Sequence, residues 1–169
     1  RRTLLAALLV LPLAGCGLFG GGASTSTAAI VARTDGSPEG IYAAGMEALD
    51  RREYQRAQQL FDLVDREHPF SPFASNAKLM SAYSDYMRNR YTEAQGALDR
   101  FIQLHPAHRD IAYAYYLRAL TFYEQINDNQ RDQRMSEQAF AALQDVANRF
   151  PGTPYARDAR LKMDLARDH

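Results

Sequence analysis

The sequence has 169 residues, with 20 basic and 20 acidic side chains and a formal net charge of zero. Because the two signs are interspersed, the chain lacks the basic footprint of a nucleic-acid-binding protein, and we expect no nucleic-acid partner. A single cysteine, Cys16, excludes an intrachain disulfide even in an oxidising compartment. Residues 37–169 are long enough to form one domain that buries roughly two thirds of its unfolded surface.

The first 15 residues are typical of a secretory signal. Two arginines precede the apolar stretch Leu4–Ala14, which is shorter than the roughly 20 apolar residues that a membrane-spanning helix needs. The segment ends in Leu13-Ala14-Gly15-Cys16, which resembles the lipobox at which bacterial lipoproteins are cleaved and lipidated. We therefore predict a signal peptide over residues 1–15 and a covalent lipid on Cys16. The alternative is an incidental cysteine beside a cleavage site.

Residues 16–36 are predicted to link the lipid to the folded domain. They are rich in Gly, Ser, Thr and Ala, without apolar periodicity, and such a composition favours a flexible tether. The absence of Asp after Cys16 resembles lipoproteins that are sent on to the outer membrane.

A repeated spacing of apolar residues organises the rest of the chain. Within each copy the apolar positions are three or four residues apart, which places them on one face of a helix, and a proline ends the copy. The first two copies are 37 residues apart and the third follows after 45, with the extra residues assigned to the polar run 127–134. The copies are Tyr54, Ala57, Phe61, Val64 and Pro69; Tyr91, Ala94, Leu98, Phe101 and Pro106; and Ser136, Ala139, Leu143, Val146 and Pro151.

A second helix is predicted before each of these. Ser37-Pro38, Ser71-Pro72 and Thr153-Pro154 each place a capping hydroxyl before a proline, and Asp110 can cap the remaining start. Helix pairs at this interval, without a strand signal, predict an all-α fold. We expect an α-solenoid of tetratricopeptide-like helix pairs, with three repeats and the first helix of a fourth. In the first repeat, Gly45 and Ala57 are expected to face each other where the two helices approach.

Several segments resemble the BamD family of outer-membrane assembly lipoproteins. They include the repeat boundaries at residues 68–74 and 150–156, the blocks at 82–86 and 94–106, and the helix at 113–120. The resemblance implies a subunit of the β-barrel assembly machinery, which inserts β-barrel proteins into the outer membrane from its periplasmic face. It also implies as partners the periplasmic domains of the barrel subunit BamA, the small lipoproteins of that complex, and unfolded outer-membrane proteins. The family usually has about five repeats, and its main BamA contact lies toward the C-terminal ones. The resemblance therefore implies the BamA contact for a longer parent protein, of which this chain is expected to be the N-terminal part.

A row of tyrosines on the predicted first helices is the candidate peptide-binding site. Tyrosine offers a large apolar face with a polar tip, which suits a groove for an unfolded segment. The alternative is that these rings fill the gaps between repeats. Arg118 is a candidate receptor for a peptide carboxylate, or else a partner in a surface ion pair. The predicted groove residues are Tyr83, Tyr86, Tyr113, Tyr116 and Tyr123, with Arg118.

Catalysis finds little support in the sequence. It contains no nucleophile elbow, phosphate-binding glycine loop or His-Glu-x-x-His pair. His105 and His108 lack further ligands at a useful spacing, so no metal or other cofactor is expected. We predict a binding scaffold rather than an enzyme, either of the BamD type or as another periplasmic repeat lipoprotein that serves as an envelope adaptor.

Overall fold

The computed structural model describes residues 34–128 and 133–167, together with Ala29 and Ala32. The predicted signal peptide, Cys16 and most of the predicted tether therefore lie outside the described residues. Within that part of the chain there are seven helices and no strand. They are α1 (Pro38–Asp50), α2 (Tyr54–Glu67), α3 (Ala74–Met87), α4 (Tyr91–Leu104), α5 (Ile111–Asp128), α6 (Gln133–Arg149) and α7 (Pro154–Arg167).

The helices form three antiparallel pairs, and α7 packs on the third pair in the position of a further first helix, as the spacing predicted. Each core cluster is completed by the first helix of the next pair: Ala77 of α3 joins the first, Ala114 of α5 the second, and Ala159 of α7 the third. A single pair is too thin to bury its apolar face alone, so stacking provides the missing cover. This sharing of cores confirms the tetratricopeptide-like solenoid.

The repeated positions of the second helices form the centre of these cores. Each copy of the repeat has three apolar residues between its first position and its closing proline, and all nine of them are at most 1% exposed. They are Ala57, Phe61, Val64, Ala94, Leu98, Phe101, Ala139, Leu143 and Val146.

Gly45 is buried where α1 crosses α2, but its closest neighbour differs from the predicted one. A Cβ atom added there would lie 2.6 Å from Cε1 of Phe61 and 2.9 Å from Cζ. The glycine therefore accommodates an aromatic ring one turn beyond Ala57. Ala57 itself is fully buried in the same core.

Helix starts follow the predicted caps at two of the three hydroxyl–proline positions. The Ser37 hydroxyl accepts from the Gly40 amide (3.1 Å), and the Thr153 hydroxyl accepts from the Ala156 amide (3.2 Å). Ser71 was expected to cap α3 in the same way, but that helix begins at Ala74 and the Ser71 hydroxyl has no hydrogen-bond partner. The Ala74 amide instead donates to the Ser71 carbonyl (3.1 Å) in a preceding turn, which delays the helix.

The turns within the first two pairs share a conformation. Arg52 and Asn89, 37 residues apart, both adopt a φ of 60°. This left-handed conformation reverses the chain over three residues between α1 and α2 and between α3 and α4. In the third pair, α5 extends to Asp128 and α6 begins at Gln133, so the helices enter the run predicted as a loop.

Candidate functional site

The first helices of adjacent repeats lie side by side, and two cavities open between them. The larger, of ≈ 560 Å³, lies between α1, α3 and the start of α5. Its lining is mostly methionine and tyrosine, with charged groups at one end. The lining residues are Met46, Leu49, Asp50, Arg52, Tyr54, Met80, Tyr83, Met87 and Tyr113.

The smaller cavity, of ≈ 240 Å³, lies at the beginnings of the same helices and reaches α7. It shares Met80 and Tyr113 with the larger one, so the two form one surface, which we call the first-helix groove. Its remaining lining residues are Tyr42, Asn76, Leu79, Arg109, Asp110 and Tyr155.

Two of the predicted groove tyrosines line this surface. Tyr83 is half-buried on the wall of the larger cavity, and Tyr113 lies where the two cavities meet. Neither hydroxyl has a hydrogen bond to another described residue, so each is available to a ligand. Burial raises the pKa of Tyr113 well above its usual value, so its hydroxyl stays protonated and able to donate.

Tyr86 and Tyr116 instead connect neighbouring first helices. The Tyr86 hydroxyl of α3 donates to Oε1 of Glu124 on α5 (3.3 Å), and the Tyr116 hydroxyl of α5 donates to the Asp158 carboxylate on α7. Burial and the adjacent carboxylate together raise the pKa of both tyrosines. This geometry favours the alternative interpretation for these two residues, in which they fill the joints between repeats.

Tyr123 is also placed at a joint. The ammonium group of Lys162 on α7 lies 5.0 Å from the centre of its ring, a cation–π contact between successive first helices. Lys162 is 3.7 Å from the Asp158 carboxylate, so the same basic group meets both a ring and an acid.

Arg118 lies away from these tyrosines. Its Nε atom is 2.5 Å from Oδ1 of Asp99 on α4, and its guanidinium stacks at 5.3 Å over Phe122. On a helix, residues 116 and 118 point in widely different directions, because each residue advances by about 100°. Asp99 occupies the position that a ligand carboxylate was predicted to take, which favours the surface ion pair.

The sequence-based site missed several groove residues. Tyr155 stacks on Tyr116, with ring centres 5.3 Å apart, and also contacts Tyr113 at 5.6 Å. The signal that could have identified Tyr155 is its place directly after Thr153-Pro154, which matches that of Phe73 after Ser71-Pro72. The sequence around Met80 and Met87 does not distinguish them from core residues, because apolar side chains at helical spacing usually face a neighbouring helix.

Two clusters of polar groups near the turns between helices are structural in geometry. Asp85 is buried between Arg88 (3.7 Å) and Arg90 (3.5 Å), and burial raises the pKa of its carboxyl. At the turn before α5, His108 Nδ1 accepts from the Asp110 amide (3.1 Å), so Nε2 carries the proton and donates to the Ser75 hydroxyl (3.2 Å).

Metal ligation and membrane crossing find no basis in the residues with described positions. No group of three His, Cys, Asp or Glu side chains among them is placed to hold a metal ion. None of the described helices combines the length and apolarity needed to span a bilayer.

Comparison with known proteins gives consistent matches. A model of the family described as YfiO, outer membrane lipoprotein, matches residues 34–169. The outer membrane protein assembly factor BamD of Caulobacter vibrioides is 47% identical over 128 residues, which are 76% of this chain and 42% of the relative. The factor of the same name from Rickettsia prowazekii is 42% identical over 76% of this chain and 51% of its own length. That of Neisseria gonorrhoeae is 30% identical over 96% of this chain and 63% of its own length. The chain thus spans about half the length of the relatives it matches.

Proposed function

The chain belongs to the YfiO family of outer membrane lipoproteins, and on that premise we propose that it acts in the assembly of outer-membrane proteins. Its relatives are named outer membrane protein assembly factors. In this proposal the chain is held by a lipid on Cys16 at the periplasmic face of the outer membrane. The proposed partners of the parent protein are the barrel subunit BamA and the small lipoproteins of the assembly complex.

The proposed role of the first-helix groove is to hold an unfolded segment of an outer-membrane protein. Such segments alternate apolar and polar residues, because one face of each strand will meet lipid. Tyr83, Tyr113 and Met80 offer apolar surface to one face of an extended peptide. The hydroxyls of both tyrosines are free to satisfy its backbone, which pairs with no neighbouring strand before the barrel forms.

The continuity of the groove is the observation that carries this proposal. Two cavities that share Met80 and Tyr113 provide a continuous path across the first helices α1, α3 and α5, and the smaller cavity reaches α7. Methionine adapts its unbranched side chain to different ligand shapes, which suits a site that must accept many sequences. Charged groups at both ends, Arg52 and Arg109 among them, are suited to the polar flanks of a bound segment.

We further propose that the chain is a scaffold rather than an enzyme. The carboxyl group with a raised pKa, Asp85, lies between two arginines in the turn from α3 to α4. It does not line the first-helix groove, and a catalytic acid must reach its substrate. Two of the described histidines have structural partners instead, His68 in the Gly36 carbonyl and His108 in the Ser75 hydroxyl.

Site-specific photo-crosslinking in living cells tests the groove. A photoreactive amino acid at Met46, which is 37% exposed, or at Tyr83 is expected to capture unfolded barrel proteins. The matched control is Arg100, an exposed position on the second helix α4. Barrel adducts from the two groove positions and none from position 100 are expected.

Equal capture at all three positions would contradict a specific groove. Capture from the groove of a cell-wall or envelope protein, with no barrel precursor, would favour the adaptor function instead. Tyr116 is a poorer probe position because its hydroxyl is engaged by Asp158, and its replacement would disturb a joint.

A further inference from the structure

One edge of the solenoid exposes apolar side chains at successive turns. This edge consists of the three turns that connect a second helix to the next first helix, and we call it the tether edge. Phe70, in the turn between α2 and α3, is 100% exposed, and Leu104, at the end of α4, is 66% exposed. Pro69, Pro106 and Pro151 are exposed at the corresponding place in each turn.

The exposure of Phe70 is built into an ordered turn. The Ser71 amide donates to the His68 carbonyl (3.0 Å), and the Ala74 amide donates to the Ser71 carbonyl (3.1 Å). Prolines at positions 69 and 72 fix the backbone on either side. The phenyl ring is therefore held out into solvent by its backbone, although an equivalent aromatic residue at position 73 packs on Tyr42.

The chain enters the fold at this same edge. His68 Nε2 donates to the Gly36 carbonyl oxygen (2.8 Å), so the last residues before α1 are bonded two positions away from Phe70. The predicted lipid site, Cys16, precedes Gly36 by 20 residues, a length that spans at most about 70 Å. A lipid on Cys16 would therefore be connected to the solenoid at the edge that carries Phe70.

Charge at the tether edge is balanced turn by turn. Each exposed arginine there has an adjacent carboxylate: Arg66 pairs with Glu67 (3.0 Å), Arg109 with Asp110 (3.1 Å), and Arg149 with Asp145 (2.6 Å). The edge therefore has no excess of basic groups with which to bind anionic headgroups. Its contact with a bilayer would rest on apolar insertion.

We propose that the tether edge lies against the lipid surface to which the chain is anchored, with Phe70 and Leu104 inserted at the interface. This inference rests on the proposed attachment through Cys16. A lipid anchor keeps the edge close to the bilayer, so even a weak second contact is made at high effective concentration. The contact orients the solenoid and leaves the larger cavity of the first-helix groove, which lies toward the opposite edge at Asp50 and Arg52, open to the periplasm.

The absence of tryptophan from the chain provides a direct test. Phe70→Trp and Leu104→Trp each create a protein with one tryptophan at the tether edge. Arg51→Trp is the matched control, because Arg51 is exposed in the turn between α1 and α2 at the opposite edge. The full chain is attached by an N-terminal hexahistidine tag to vesicles of phosphatidylethanolamine, phosphatidylglycerol and a nickel-chelating lipid.

The tryptophans at positions 70 and 104 are expected to shift their emission to the blue and to lose most of it to brominated lipid, while position 51 does neither. Unchanged emission at positions 70 and 104 overturns the proposal and leaves the edge to a protein partner. Equal quenching at position 51 also overturns it, because the contact would then lack orientation. Since the tag replaces the lipid, a failure of Cys16 lipidation would not affect this result.

Discussion

Substitution of Gly45 by alanine tests how closely the two helices of the first repeat are packed. The new methyl group would lie 2.6 Å from Cε1 of Phe61, a ring with no exposed surface into which to withdraw. Overpacking of this kind costs about 1–3 kcal/mol. Alanine also recovers about 0.5–1 kcal/mol of helix propensity, so we expect a net loss of up to about 2.5 kcal/mol in unfolding free energy.

Gly96 provides the matched control, because it lies inside α4 and a Cβ atom there would meet only the Arg100 guanidinium at 3.6 Å. Gly96→Ala should therefore raise the unfolding free energy by about 0.5–1 kcal/mol. Both changes are measured by urea denaturation followed by circular dichroism. Phe61→Leu should be less costly in the Gly45→Ala background, because the smaller side chain relieves the contact. Midpoints that move in the same direction for both glycines would refute the close-contact reasoning.

Three further predictions use the same denaturation assay. Tyr116→Phe removes a hydrogen bond to a carboxylate on the next first helix and should cost about 1 kcal/mol in unfolding free energy. Tyr113→Phe should cost almost nothing, because the Tyr113 hydroxyl bonds no described residue. Equal losses would argue against a role for Tyr116 in connecting the repeats. Burial, with smaller contributions from nearby cations, lowers the pKa of His105 below the ordinary histidine value of about 6.5. The stability that the neutral His105 side chain contributes is therefore complete above about pH 6.5, and it is lost as the pH falls through the lower pKa of the folded state. His105→Leu should flatten this loss between about pH 7.5 and about pH 5.5, and an unchanged slope would count against it. Arg52→Gly, at a φ of 60°, should stabilise by about 1 kcal/mol, whereas Arg51→Gly, at a φ of −83°, should not, and a gain from both would contradict the backbone argument.

The helix pairs were predictable because burial imposes a period on the sequence. The equivalent positions Phe61, Leu98 and Leu143 must be apolar in every copy, and this spacing alone located the second helices. Helix starts were predictable where a hydroxyl could accept from the first turn, as at Ser37 and Thr153. The prediction of a cap at Ser71 was wrong because backbone hydrogen bonds form a turn at that position, and the residue types alone do not show which of the two arrangements is preferred.

The site was less predictable because neighbouring positions on one helix face meet different partners. Tyr113 and Tyr116 are three residues apart, yet the first lines a cavity and the second bonds to a carboxylate 42 positions later. Such pairings depend on the stacking angle between repeats. Arg118 likewise pairs with Asp99 on another helix, and the sequence around Arg118 does not indicate that partner.

The bonds from Tyr86 to Glu124 and from Tyr116 to Asp158 connect the first helices one after another, each to the next. A small rotation between two of these helices would therefore move every helix beyond them, and the displacement of each helix would grow with its distance along the row. A ligand that wedges between two first helices would therefore register far from where it binds, and the longer the row of repeats, the larger the movement at its end.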